Sequence, residues 1–169
     1  MIVQPRHPGA ITDIRLLETR GPWTTKSNGQ LRVQFALPSD LVSTLLTYNQ
    51  DELHRVPQDI RGLRFYTITG LKQGAAGGGE SHRIREEIAF VIQGSLRWTC
   101  TDLFGRTQDF ILNPGNGIWM PPFVLHSYEV LEDDTILQVF CNTLFTPDDP
   151  ATHDTYSHEE FAKLRHAVV

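Results

Sequence analysis

The sequence predicts an all-β fold, a sandwich or a barrel, with one or two short helices. Short segments that alternate apolar and polar side chains recur along the chain, separated by turns rich in Gly and Pro. In the segment 95–101, for example, Leu96, Trp98 and Cys100 alternate with polar residues. Evenly spaced short strands favour two packed sheets or a closed barrel, because each strand has an apolar face to bury.

Nine segments have the pattern of strands. Ile88 to Ile92 is almost wholly apolar, which predicts a strand covered on both faces. Asp102 to Gly105 predicts a hairpin loop. In chain order, the predicted strands are 12–19, 31–37, 64–69, 88–92, 95–101, 108–112, 118–120, 126–131 and 135–141.

Two segments are predicted to be helical. The first is Leu41 to Leu53, with its cap at residue 39 or 40. The second is His158 to His166, where Ser157 and Glu160 have the spacing of a capping box. The run Gly74 to Gly79 predicts a flexible loop, either a plain connection or a mobile lip over a site.

Length and composition predict a single domain of a soluble, cytoplasmic protein. The 169 residues are 40% hydrophobic and 21% charged, and are expected to divide into N-terminal strands and a helix (1–60), a barrel core (61–145) and a C-terminal tail with a helix (146–169). No apolar run approaches the roughly 20 residues of a membrane helix, and Met1 to Arg6 lacks the design of a signal peptide. The net charge of −5 and the lack of a basic stripe argue against nucleic acid as a partner.

The chain has two cysteines. Cys100 and Cys141 lie in apolar, strand-like surroundings and lack the C-x-x-C spacing of redox or zinc sites. The sequence therefore predicts two free, buried thiols.

Two separate stretches contain side chains that could form a metal-binding or catalytic site. Glu80 and His82 share a face if their segment is extended, and His126 follows a turn made by Pro121-Pro122. Glu87 lies five residues after His82, so it faces the same way only if the residues between them turn or bulge. Two histidines with carboxylates can bind a divalent metal, or act as acid and base on a substrate.

The spacing of these residues resembles the two motifs of the cupin superfamily, with Glu80 in place of the first His and Phe123 in place of a Gly. The resemblance implies a double-stranded β-helix, or jelly-roll barrel, whose mouth binds small ligands. The matching positions are Gly74, Glu80, His82, Glu87 and Gly94 in the first motif, and Gly115, Pro121 and His126 in the second.

Among cupins, the chain is most similar to the WxcM-like, or FdtA-type, sugar nucleotide 3,4-ketoisomerases. Arg64-Phe65-Tyr66 resembles an Arg-Val-Tyr strand of that family, and the segment 117–122 (Gly-Ile-Trp-Met-Pro-Pro) resembles its Gly-Leu-Tyr-Ile-Pro-Pro. The chain differs from the family pattern at three positions of the expected site. Glu80 replaces a His, Gly77-Gly78 replaces Arg-Gly, and Glu87 replaces a Gln.

This resemblance implies isomerisation or epimerisation of a dTDP-4-keto-6-deoxyhexose by acid and base residues, without a cofactor. His82 is the expected base, Glu80 or Tyr66 relays or donates the proton, and His126 orients the sugar. The expected substrate-binding residues are Arg83, Arg85, Arg97 and Trp119, with the arginines as partners of the diphosphate.

Two alternatives stay open. In the first, the chain is a metal-dependent dioxygenase, lyase or isomerase that binds Fe²⁺, Mn²⁺, Ni²⁺ or Zn²⁺ through Glu80, His82, Glu87 and His126. If Glu87 faces away, the other three form a two-His-one-carboxylate set. In the second, the chain binds a small molecule without catalysis.

The sequence also predicts a homodimer. Apolar strand-like segments before residue 70 exceed what one small barrel needs. Cupins commonly pair through such strands, which implies a symmetric interface between two copies.

Overall fold

The computed structural model describes residues 8–168. The segment Met1 to Arg6, on which the expectation of no signal peptide rests, lies outside the described residues. The strands are β1 Arg15–Glu18, β2 Arg20–Thr24, β3 Gln30–Val33, β4 Arg61–Leu71, β5 Ala76–Ser81, β6 Glu87–Gln93, β7 Leu96–Asp102, β8 Thr107–Leu112, β9 Asn116–Met120, β10 Val124–Val130, β11 Thr135–Thr143 and β12 Tyr156–Ser157. The helices are α1 Ser39–Leu45, α2 Gln50–Leu53 and α3 His158–Val168.

Two antiparallel five-stranded sheets make up the body of the molecule, and they confirm the predicted all-β jelly roll. The first has the order β1-β9-β6-β11-β4 and the second the order β12-β5-β10-β7-β8, while β2 and β3 form a separate hairpin. The main core lies between the two sheets. It includes Val91 and Val139 from the first sheet and Leu96, Trp98 and Val130 from the second.

A second core covers the outer face of the first sheet. Ile88 and Phe90 point outward from β6 and pack against Leu41 and Leu45 of α1, while the alternate residues of β6 point into the main core. The prediction that 88–92 is covered on both faces is therefore confirmed, because α1 shields the side that faces away from the barrel.

The N-terminal third differs from the sequence prediction in several places. The strand expected over 12–19 covers only Arg15–Glu18, after a 3-10 turn at Ile11–Asp13, and β2 was not predicted. The strand expected over 31–37 ends at Val33, because Phe35 and Leu37 leave the hairpin to pack on the second core. The single helix expected over 41–53 is two helices, α1 and α2. The side chain of Asn49 accepts hydrogen bonds from the backbone N–H groups at the start of α2, so the chain restarts as a new helix there.

The glycine run was predicted to be a loop, and this prediction was wrong. Most of it belongs to β5, which pairs with β10 and with β12. Glycine is required for packing rather than for mobility. Any side chain on Gly77 would collide with the ring of Tyr128, and Gly78 has a φ of 73° where the pairing with β10 shifts register.

The C-terminal helix and the cysteines follow the predictions. The backbone N–H of Ser157 donates to Glu160 Oε2 at 2.8 Å, and the backbone N–H of Glu160 donates to Ser157 Oγ at 3.3 Å, so the two bonds form the capping box. Cys100 and Cys141 are free and buried. In the part of the chain that the structure describes, no helix is long and apolar enough to cross a membrane.

Candidate active site

Strands from both sheets bring the predicted side chains together inside the barrel. Glu80 on β5 lies directly across from His126 on β10. The rings of His82 and His126 are 5.3 Å apart between their centroids. Glu87 begins β6 on the opposite sheet and reaches both rings, at 3.6 Å from His82 Nε2 and 3.2 Å from His126 Nε2.

The chain turns between His82 and Glu87, as the odd spacing required. Residues 82–86 leave the strand conformation before β6 begins, which rotates Glu87 back toward the barrel interior. Arg85 also points inward, and its guanidinium lies 3.4 Å from Glu87 Oε1 and 3.4 Å from His82 Nε2. The turn thus adds a buried cation to the set.

A hydrogen bond joins the two sequence motifs. The backbone N–H of Phe123, in the turn before β10, donates to the carbonyl of His82 at 2.7 Å. Phe123 has a φ of 64°, the left-handed conformation that usually favours glycine. Phe123 stands where the motif predicted a Gly, and it adopts a backbone conformation typical of glycine.

Burial and neighbouring charges set the ionisation of the cluster. Burial, reinforced by the charge of Arg85, lowers the pKa of His82 well below its usual value, so this imidazole is neutral. Burial would also lower the pKa of His126, but Glu87 outweighs it and the net shift is upward. Burial would raise the pKa of Glu87, but the hydrogen bond and charge of His126, together with the charge of Arg85, hold it far below its usual range.

The tautomer of His82 follows from its hydrogen bonds. Its Nδ1 lies 2.6 Å from the backbone carbonyl of Asp154, which can only accept. Nδ1 therefore carries the proton, and Nε2 presents a lone pair toward Arg85 and Glu87. A neutral imidazole with a free nitrogen is able to accept a proton.

A cavity of about 300 Å³ opens next to this cluster. Glu80 and Arg85 form part of its wall. The guanidinium of Arg64 lies 5.0 Å from the ring centre of Tyr66 and 4.9 Å from that of Phe145. The residues lining the cavity are Arg64, Tyr66, Glu80, Arg85, Phe145 and Thr155.

Three of the residues expected to bind substrate lie away from this cavity. Arg83 packs over the ring of Tyr156 and lies 3.6 Å from Glu52. Arg97 is half exposed on the second sheet and pairs with Glu129. Trp119 is buried in the second core, where its indole N–H donates to Glu86.

Sequence reasoning missed three residues of the cavity wall. Arg64 shares a face of β4 with Tyr66, so the alternation of strand side chains could have identified it. Phe145 and Thr155 lie in the irregular tail, where no periodicity indicates which way a side chain points.

The cluster fits a divalent cation poorly. Ligand atoms of Glu80, His82 and His126 lie within 4.8 Å of one another, a spacing that suits a metal site. A cation there would meet the positive charge of Arg85, 3.4 Å from the lone pair of His82. Glu87, the fourth ligand of that alternative, already pairs with the ring nitrogen of His126 and would have to exchange this contact for the cation.

The chain is similar to several known proteins. The family model described as FdtA: WxcM-like, C-terminal matches residues 29–165. QdtA, a sugar 3,4-ketoisomerase from Thermoanaerobacterium thermosaccharolyticum solved in complex with TDP, is 14% identical with a TM-score of 0.63, covering 94% of this chain and 98% of that one. WlaRA, a TDP-fucose-3,4-ketoisomerase from Campylobacter jejuni, is 20% identical with a TM-score of 0.62, covering 92% and 98%.

A third similar solved structure is that of an epimerase. ChmJ, a 3'-monoepimerase from Streptomyces bikiniensis in complex with dTDP, is 13% identical with a TM-score of 0.61, covering 90% of this chain and 72% of that one. No curated protein matches the sequence. At these identities the three likenesses show a shared fold.

Proposed function

This chain belongs to the WxcM-like, C-terminal (FdtA) family, and we propose that it is a sugar nucleotide isomerase. The substrate class is a TDP-linked 4-keto-6-deoxyhexose. QdtA, which shares the fold, has been solved with TDP-4-keto-6-deoxyglucose. The observation that carries the proposal is the cavity itself, where a carboxylate, a phenol and two arginines stand beside two buried imidazoles.

The reaction needs one proton removed from carbon and one returned. The C3–H bond breaks next to the C4 ketone, and its electron pair forms an enediolate. A proton is then added at C4 while the oxygen-bound proton moves from O3 to O4, so no oxidant or reductant is consumed. Acid and base groups on one side of the sugar are enough for these steps.

Three side chains have the placement for this proton transfer. Glu80 lines the cavity, and its carboxylate lies within 4.8 Å of ring nitrogens of His82 and His126. A proton can pass between the sugar and the neutral His82 through Glu80 if a water bridges the carboxylate and the imidazole. Burial raises the pKa of Tyr66 far above its usual value, so its hydroxyl stays protonated and can donate a hydrogen bond to a sugar oxygen.

Arg64 and Arg85 are the proposed partners of the anionic part of the substrate. Both line the cavity, and guanidinium groups bind phosphate oxygens in pairs. Arg83 and Arg97 lie outside the cavity, so they are not part of this set. Epimerisation is the second outcome of the same site, because it begins with the same loss of a proton next to the ketone.

Turnover of TDP-4-keto-6-deoxyglucose by untagged protein, followed by NMR of the sugar, tests the proposal. We expect a 3-keto product from the unmodified protein. His82→Asn and Glu80→Gln should each lower kcat by about 10²-fold or more, since each removes an acid–base group. Arg97→Gln is the control, because Arg97 pairs with Glu129 outside the cavity. Full activity in both His82→Asn and Glu80→Gln, or no turnover by the unmodified protein, would contradict the assignment.

Metal analysis of protein purified without chelator separates the metal-dependent alternative from this proposal. We expect turnover to survive chelator treatment. A stoichiometric transition metal that is lost in His82→Ala, together with activity, would favour the alternative. Binding of TDP without any turnover would favour a non-catalytic protein. The expectations of a cytoplasmic location and of no nucleic acid partner stay predictions.

A further inference from the structure

A buried carboxylate in the C-terminal tail contacts the site without lining the cavity. Asp154 lies between β11 and β12 and is fully buried. Its carboxylate accepts hydrogen bonds from three consecutive backbone N–H groups, those of Arg83 at 3.1 Å and of Ile84 and Arg85 at 2.8 Å each. Burying a carboxylate is costly unless it is hydrogen-bonded, so these bonds fix its position.

The three N–H groups belong to the turn that orients Glu87. Without that turn, the odd spacing after His82 would direct Glu87 to the opposite face of the strand. With it, Glu87 and Arg85 both reach the ring of His82. The Asp154 carboxylate therefore stabilises the backbone geometry on which the buried cluster depends.

The main chain of the same residue contacts the catalytic ring. The carbonyl of Asp154 accepts from His82 Nδ1 at 2.6 Å, which places the lone pair of His82 on Nε2. Its neighbour Thr155 lines the cavity. The residues of the cavity wall do not include Asp154 itself, so its effect on the reaction passes through other groups.

We propose that Asp154 is a positioning residue that sets both the tautomer of His82 and the orientation of Glu87 and Arg85. The inference rests on the proposed function for its catalytic consequence, but the tautomer can be measured without any substrate. Asp154, in the C-terminal tail, would thus affect proton transfer inside the barrel by positioning these three side chains.

Asp154→Asn in the full chain is the test, with Asp148→Asn as the matched control. Asn has the size of Asp, but one of its two acceptor oxygens is replaced by an NH₂ group, which cannot accept from the turn. Asp148 lies in the same tail and is exposed. Nitrogen-15 NMR of the histidine rings, assigned with His82→Asn, reports which ring nitrogen of His82 carries the proton.

We expect the unmodified protein and Asp148→Asn to show His82 protonated on Nδ1 alone. Asp154→Asn keeps the main-chain carbonyl of residue 154 but weakens the hydrogen bonds to the turn at residues 83–85. His82 should then lose this acceptor in part of the molecules, and its ring should show a mixture of tautomers. The kcat of this variant for TDP-4-keto-6-deoxyglucose should fall by about 10- to 100-fold. The affinity for TDP should fall by less than kcat, because Arg64 on β4 also lines the cavity and does not depend on this turn.

Three results would overturn the proposal. One is a His82 proton on Nε2 in the unmodified protein, which decides the question even if Asp154→Asn does not fold. Another is an unchanged His82 tautomer in Asp154→Asn. The third is a loss of TDP affinity as large as the loss of kcat, which would indicate a general structural role. If the unmodified protein does not turn over this sugar, the proposed function fails, and the ring spectra still decide whether Asp154 positions His82.

Discussion

Two adjacent glutamates, both buried, have different ionisation because they face opposite sides of the first sheet. Glu87 points into the barrel, where Arg85 and His126 keep it charged. Glu86 points toward α1, where it accepts hydrogen bonds from the Thr44 hydroxyl at 2.8 Å and the Trp119 indole at 3.0 Å. Burial raises the pKa of Glu86 to about 7 despite these two donors.

The Glu86 carboxyl predicts a loss of stability as the pH rises. Its pKa in the folded chain is above the ordinary value of 4.5, so the folded state holds the proton more tightly than the unfolded state. Folding is favoured most by this group below pH 4.5, and the advantage is lost as the pH rises to about 7. Glu86→Gln cannot ionise, and its amide oxygen can still accept from Thr44 and Trp119.

We expect Glu86→Gln to raise the free energy of unfolding at pH 8 by up to about 3 kcal/mol, and to change it far less near pH 4.5. Urea denaturation at the two pH values measures this difference. Glu18→Gln, at an exposed position of β1, is the control. A gain of the same size at both pH values would show that ionisation of Glu86 is not the cause.

At the scale of elements, the turn between β9 and β10 combines a left-handed backbone with a buried ring. Phe123 has a φ of 64° and is 7% exposed. Its ring packs with Leu103, Leu125 and Phe161, which attaches α3 to the barrel. Burial of the ring offsets the cost of the backbone conformation, which is about 1–2 kcal/mol for a residue with a side chain.

Substitutions of Phe123 separate the contribution of ring burial from the cost of the left-handed backbone. Phe123→Ala should lower the free energy of unfolding by about 3–5 kcal/mol, because it leaves a cavity under α3. Phe123→Gly should be the more stable of the two variants by about 1 kcal/mol, since glycine adopts a positive φ without strain. Urea denaturation checks both values, with the exposed Phe104→Ala as control. A Gly variant less stable than the Ala variant would show that the turn stores no strain.

The sequence predicted those elements in which apolar side chains recur with the spacing of a strand or a helix. The strands β6, β7 and β10 were found because apolar residues mark their buried faces. β5 was missed because its glycines carry no side chain from which a face could be inferred. The break between α1 and α2 was missed because its signal is a single capping residue, Asn49.

The site was predictable where a local motif carried it. Glu80, His82 and His126 come together as their spacing indicated. The turn that returns Glu87 to the interior was inferred only as a requirement, because Asp154, which holds it, lies about seventy residues further along the chain. Arginines are common on surfaces, and nothing local separated Arg85, which lines the cavity, from Arg97, which does not.

At the scale of the whole molecule, apolar surface is concentrated in the N-terminal part of the chain. Seven of the eleven large apolar side chains that are exposed within residues 8–168 precede residue 70. They include Leu16, Trp23, Leu31 and Phe65, each about half exposed or more. The β2–β3 hairpin forms no sheet with the rest of the described chain, and isolated hairpins are marginally stable in water. Exposed apolar side chains of this kind suit contact with a second copy of the chain.

We therefore expect a homodimer whose symmetric interface includes exposed apolar residues of the N-terminal part, Phe65 among them. Size-exclusion chromatography with light scattering at micromolar concentration should give twice the mass of one chain. Phe65→Asp should shift the protein toward monomer, because Phe65 is 66% exposed on β4, at the edge of the first sheet, and a buried, unpaired carboxylate is costly. Phe104→Asp is the matched control, since Phe104 is 53% exposed but lies in the loop between β7 and β8. A monomeric unmodified protein would contradict the dimer. Equal masses for the two variants would show that Phe65 is not part of the interface.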